Sequence, residues 1–143
     1  MALPQYEIDV DGGVWPALQR MAAHARAAGL DAVWLSDHPF AVGPDGVPSG
    51  ALEPFVSAAA LTRAVPGIDV GTLVLAATMR APALVAHAAR TIGPAFILGL
   101  GAGWYEAEHR AFGIPLPPYG ERIARAGEVV DSLEAAGGAR PRV

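Results

Sequence analysis

The chain has 143 residues, 52% of them hydrophobic and 17% charged, with a net charge of −4 and no cysteine. That length and composition leave room for one domain with a substantial core and argue against disorder, and with no Lys/Arg cluster there is no electrostatic footprint for nucleic acid or an anionic membrane. The absence of cysteine removes disulfides, thiolate metal ligands and a cysteine nucleophile, and no basic leader or apolar run approaches the roughly 18 residues that span a bilayer, so a cytoplasmic setting is expected.

Met1 to Tyr6, broken by Pro4, supplies at most the tail of an opening strand, and Asp9-Val10-Asp11-Gly12-Gly13 is loop chemistry. Pro16 followed by Leu18, Met21, Ala22 and Ala25 at helical spacing, with Gly29 behind them, predicts a first amphipathic helix. Leu30 to Leu35 reads as a short buried strand, and Ser36 to Glu53 as a long loop rich in Gly, Pro and Ser. Pro54 opens a second helix to about Ala64, the turn Val65-Pro66-Gly67 leads into a strand from Ile68 to Ala77, and Pro82 opens a third helix to about Arg90. After Thr91-Ile92-Gly93-Pro94 comes a run from Phe96 that passes into alternating glycines at Gly99, Gly101 and Gly103, the pattern of a strand buried on both faces. Tyr105 to Phe112 predicts a short helix and Gly113 to Pro118 a proline-stiffened loop. A last helix is expected to bury Ile123, Ala126, Val130 and Leu133, to pair Glu121 with Arg125 on its surface, and to stop at Gly137-Gly138; Arg140 onward is a tail.

Three apolar strands therefore end in polar or glycine-rich residues: Asp37-His38, Thr78-Met79-Arg80, and the glycine run with Trp104. With helices between them, this is the alternation of a parallel α/β barrel, whose chemistry sits at the C-terminal ends of its strands. His38 is placed to move a proton, the plainer alternative being a surface loop in which Asp37 caps the turn. The three glycines do not fit a dinucleotide fingerprint, because the position of its third glycine is Trp104. They suit close approach of a ligand, or simply the convergence of strands. Glu106 and His109 have carboxylate-bridged metal spacing without the second copy such a site needs, so no metal is expected. For Arg80, before the helix at Pro82, an ordinary salt bridge is the expected role rather than a phosphate contact.

Gly29-Leu30-Asp31-Ala32-Val33-Trp34-Leu35-Ser36-Asp37-His38, Gly71 through Arg80, Phe96 through Trp104, and Phe112-Gly113-Ile114-Pro115 resemble, in order, landmarks of the bacterial luciferase-like monooxygenases and F420-dependent oxidoreductases. The resemblance implies a TIM-barrel (β/α)8 fold of class α/β, a reduced FMN or coenzyme F420, and a small-molecule substrate. By the same resemblance, the catalytic positions are His38 and Asp37. A non-proline cis peptide falls at Leu73–Val74, and Leu73, Val74, Ala76, Gly101, Gly103 and Trp104 border the cofactor. Some F420-dependent members carry a carboxylate where this chain has Trp104, which leans toward the broader monooxygenase-like group or an unassigned branch.

A complete barrel of this kind takes about 250 residues, so residues 1–143 are expected to form an incomplete N-terminal half of about four βα units. The family usually has a longer passage where this chain has Thr91-Ile92-Gly93-Pro94, a loss expected to shorten the third helix or pull the fourth strand out of register. Bare edges and an uncovered inner face lead to the expectation of a homo-oligomer or a second half-barrel chain. The reading from another class is a non-catalytic half-barrel remnant or assembly module that binds no cofactor.

Overall fold

Helix α1 (Val14–Ala27) starts behind Gly13 at φ 84° and gives way after Ala28 to Gly29 at φ 81°, a left-handed position that glycine occupies without steric cost. The computed structural model describes residues 1–6, 12–42, 48–136 and 141–143. Asp9-Val10-Asp11 of the expected first loop, the middle of the loop after the first strand, Gly137-Gly138 and Arg140 lie outside the described residues.

The sheet is parallel. Strand β1 (Ala32–Leu35) pairs with β4 (Asp69–Thr72) in the register Val33↔Val70, and β4 pairs with β6 (Phe96–Ile97) in the register Val70↔Phe96. Helices α2 (Pro54–Ala64) and α3 (Pro82–Ile92) form the connections, each with proline in its first turn. The N-terminal residues add a parallel bridge at Ala2↔Trp34, and the tail adds another at Ile97↔Arg142, where the Leu98 amide donates to the Arg142 carbonyl at 2.8 Å. Residues expected to be a bare tail thus occupy the position of a further strand. Helix α3 reaches Ile92, two residues beyond the expected Arg90, and β6 pairs parallel with β4.

The strand expected from Ile68 to Ala77 is two pieces, β4 and β5 (Leu75–Ala76), and the glycine-rich strand is likewise β6 and β7 (Leu100–Gly101). Three residues between Gly71 and Leu75 face two between Ile97 and Leu100, which makes a bulge with one extra residue on the earlier strand. The Leu73–Val74 peptide within it is cis, as the resemblance implies. The Thr72 hydroxyl, fully buried, donates to the Gly99 carbonyl at 2.8 Å across the bulge.

The core lies between this sheet and the helices. Val33, Leu35, Val70, Phe96 and Leu98 point to the helix layer and are fully buried against residues such as Leu18, Leu61, Val85 and Ala89. Alternation puts Trp34 and Ile97 on the opposite face, where they are only half-buried. The expectation of strands buried on both faces therefore holds for the outer face alone, because no element among the described residues covers the inner one.

Two other expectations change. The segment after β1 is not plain loop: β2 (Phe40–Val42) and β3 (Pro48–Gly50) pair antiparallel within it. Helix α5 (Tyr119–Ala135) buries Val129 and Leu133, leaving Ile123 and Val130 exposed, and Arg125 pairs with Glu128 at 3.2 Å rather than with Glu121. Both apolar sets are helical in spacing, and packing of α5 against α3 selects the Val129–Leu133 face. Between β7 and α5 lies the short helix α4 (Glu106–Ala111). No helix among the described residues is long and apolar enough to cross a membrane.

Candidate functional site

The C-terminal ends of β1, β5 and β7 converge. Immediately beyond β1, Asp37 is 5% exposed and its carboxylate is fully engaged: both Arg80 terminal nitrogens donate to it, at 2.7 and 2.8 Å, and so does the Ala76 amide at 2.8 Å. Arg80 also donates to Glu53 at 2.8 Å and lies over the Phe55 ring at 5.6 Å. Burial works against the guanidinium charge, but the bonds to Asp37 and Glu53 and their negative charge outweigh it and hold the Arg80 pKa above its ordinary value. Glu53 meanwhile caps α2 by accepting the Val56 amide at 2.8 Å. Arg80 thus makes the salt bridge expected of it and braces three segments.

His38 faces the other way. Its Nδ1 lies 2.8 Å from Glu108 Oε1, on α4, and its ring meets Trp104 and Tyr105 edge-on with centroids at 6.1 and 6.3 Å. The Glu108 side chain is almost wholly buried, whereas that of His38 keeps 32% of its surface open. The neighbouring His109 is 2% exposed, with Nδ1 against the Tyr105 carbonyl at 3.1 Å and Nε2 against the Thr78 hydroxyl at 2.8 Å. A carbonyl only accepts, so His109 carries its hydrogen on Nδ1 and Thr78 donates to Nε2. Glu106, the other half of the Glu-x-x-His spacing, pairs on the surface with Arg110 at 2.8 Å.

A hollow of about 300 Å³ opens between these groups, bounded by His38, the cis bulge, Ala76, the loop from Gly101 to Tyr105, and Glu108. Leu73 and Val74 turn apolar side chains outward, 58% and 45% exposed, and Trp104, stacked on Tyr105 at 5.0 Å, is 69% exposed. Exposed apolar walls beside a few polar groups suit a planar ring system, and the volume lies at the low end for ligand sites. A second hollow of about 290 Å³ lies beyond Asp37 and His38, with Leu52, Met79, Phe112 and Ile114 among its walls.

The residues singled out in the sequence meet here, with roles that differ in detail. The Ala76 amide is spent on Asp37. Gly99 and Gly103 are demanded by the chain itself. A Cβ on Gly99 would run into the Thr72 carbonyl, and one on Gly103, at φ 75°, into the Thr78 hydroxyl. Glu108 and Gln5 are additions. Gln5, 1% exposed, accepts from the Ser36 amide and donates to the Leu52 carbonyl at 2.9 Å, tying the end of β1 to the segment before α2. Neither residue has a local sequence signal.

Parallel βα units with a polar cluster at their strand ends define part of an α/β barrel, with the candidate site at the C-terminal ends of its strands. The chain belongs to the luciferase-like monooxygenase family, whose sequence profile matches residues 3–141. It is 40% identical over 122 residues to an F420-dependent glucose-6-phosphate dehydrogenase of Kineococcus radiotolerans, a match covering 79% of this chain and 34% of that protein. The fold resembles EDTA monooxygenase from Chelativorans sp. BNC1 with TM-score 0.78 at 20% identity, over 98% of this chain and 39% of that one. It also resembles an F420-dependent secondary alcohol dehydrogenase in complex with an F420-acetone adduct, with TM-score 0.75 at 20% identity over 93% and 39%. A third likeness is the oxygenating constituent of 3,6-diketocamphane monooxygenase from Pseudomonas putida in complex with FMN, with TM-score 0.63 at 20% identity over 85% and 33%. The chain therefore spans between a third and two-fifths of these relatives.

Proposed function

We propose that this chain forms the cofactor-facing part of a reduced-flavin or deazaflavin oxidoreductase, with FMN or coenzyme F420 in the hollow between the Leu73–Val74 bulge and the Gly101–Gly103 loop, and a small-molecule substrate beside it. The observation that carries this reading is His38, partly open and held by a buried carboxylate at the edge of an apolar-walled hollow at the strand ends. Names among the relatives support both cofactors: F420 for the dehydrogenases, FMN for the diketocamphane monooxygenase.

The bound cofactor would supply hydride transfer for F420, or oxygen activation for FMN. The chain's own residues provide the setting. Leu73, Val74 and Trp104 offer apolar surface that a ring system removes from water, and Ala76, Gly101 and Gly103 line the floor and rim. His38 takes a proton from, or returns one to, the substrate at Nε2. Asp37, with its oxygens engaged by Arg80 and the Ala76 amide, acts by fixing the loop that carries His38.

Titration of the purified chain with FMN and with F420, followed by cofactor fluorescence, tests the reading. Saturable binding of one cofactor is expected, and His38→Ala should weaken it about three- to tenfold, equivalent to roughly 1 kcal/mol. A folded chain that binds neither overturns the proposal in favour of a half-barrel that keeps the architecture without the chemistry.

A further inference from the structure

We infer that Glu108 is a positioning residue that fixes the tautomer of His38: its carboxylate holds the hydrogen on Nδ1, so that Nε2 presents a lone pair to the hollow. The inference deepens the proton-handling role proposed for His38 and rests on it for its catalytic meaning, although the tautomer itself is a property of the cofactor-free chain.

Geometry leads to it. Glu108 is 3% exposed, and among the described residues the one hydrogen-bonding partner its carboxylate meets is His38 Nδ1, at 2.8 Å. A buried carboxylate without a donor is costly, so the contact must contain a proton. A carboxylic acid is a stronger acid than an imidazolium, so that proton sits on the ring and Glu108 accepts. The other groups against His38 do not compete. Trp104 and Tyr105 make T-shaped ring contacts with centroids 6.1 and 6.3 Å away, and Asp37 is occupied by Arg80 and Ala76. No hydrogen bond engages Nε2 among the described residues, whereas the corresponding nitrogen of His109 is taken by Thr78. Of the two histidines bordering the hollow, one is spent on structure and one is kept available.

When Nε2 takes a proton from a substrate hydroxyl, the ring becomes an imidazolium, and its Nδ1–H remains donated to a carboxylate that compensates the new charge. Without Glu108 the neutral ring is free to place its hydrogen on Nε2, which cannot then accept.

The test is ring-nitrogen NMR of the full chain labelled with ¹⁵N-histidine, without cofactor, at a pH high enough for neutral imidazoles. In the wild type His38 should show a protonated Nδ1 and a bare Nε2. In Glu108→Leu the two nitrogen signals of His38 should exchange places or average, while the His109 pattern, set by Tyr105 and Thr78, stays as it was. A wild-type His38 that carries its hydrogen on Nε2 overturns the inference without any variant. So does an unchanged His38 pattern in Glu108→Leu with native His109 signals. Cofactor titration is scored separately, so failure to bind FMN or F420 leaves this result readable.

Discussion

Asp37 and Arg80 illustrate how much of the site is made of groups that never meet a ligand. The Asp37 side chain is 2% exposed and that of Arg80 23%. Removing one partner of so buried a pair strands the other charge. Asp37→Ala is therefore expected to cost about 3 kcal/mol in urea denaturation, with Glu53 limiting the loss on the Arg80 side. The raised Arg80 pKa gives the pH dependence its sign. A cation whose folded pKa exceeds its unfolded one contributes stability that is complete at lower pH and is lost only as pH rises through the folded value. Arg80's share should accordingly be constant from neutral pH well into the alkaline range, as denaturation midpoints at several pH values would report. The glycines allow a sharper contrast. Gly99→Ala would press a methyl group into the Thr72 backbone and should cost about 3 kcal/mol, while Gly101→Ala meets the end of the Val74 side chain, which can rotate, and should cost about 1 kcal/mol. At this scale the sequence announces Asp37, His38 and the glycines because they stand at strand ends. Glu108 and Gln5 stay hidden because their partners lie 70 and 47 residues away, a distance that only the fold closes.

Elements were legible where local chemistry settles them. Proline in the first turn and the Val65-Pro66-Gly67 turn behind it place α2 at Pro54–Ala64, the span expected from the sequence. Where two helical stripes compete, as on α5, periodicity cannot choose, and the contact with α3 decides. The choice is testable by stability measurements. Leu133→Ala should cost about 2–4 kcal/mol, as for a buried leucine, whereas Ile123→Ala should change stability by under about 0.5 kcal/mol. Residue patterning gave no sign of the bulge, because Ile68 to Ala77 is apolar apart from Asp69 and Thr72, and an extra residue in one strand is defined only against its neighbour. Resemblance located the cis bond where residue patterning had nothing to say.

For the whole molecule, the alternation of β and α pieces made the parallel sheet readable, but not that residues beyond α5 would take up a place beside β6. The outer face is sealed by helices. The inner face, with Trp34 and Ile97 half-buried, and the outward edges of the Met1–Leu3 and Arg142 segments have no cover among the described residues. Parallel sheets are seldom left that way. We expect the isolated chain to associate with a second copy in a concentration-dependent manner, seen as a rising mass in light scattering. A constant monomeric mass with a single cooperative calorimetric transition would show that the half-barrel stands alone.

The sheet places Trp34 over Gly71, so that a Cβ there would strike the indole. Because the remaining two tryptophans sit elsewhere, Trp15 against the outer helix layer and Trp104 at the rim of the hollow, intrinsic fluorescence divides into three local signals. Quenching confined to Trp104 would report an occupant in the hollow, and a blue shift confined to Trp34 would report a surface closing over the sheet. Single-tryptophan variants would thus separate filling of the site from completion of the barrel in one optical experiment.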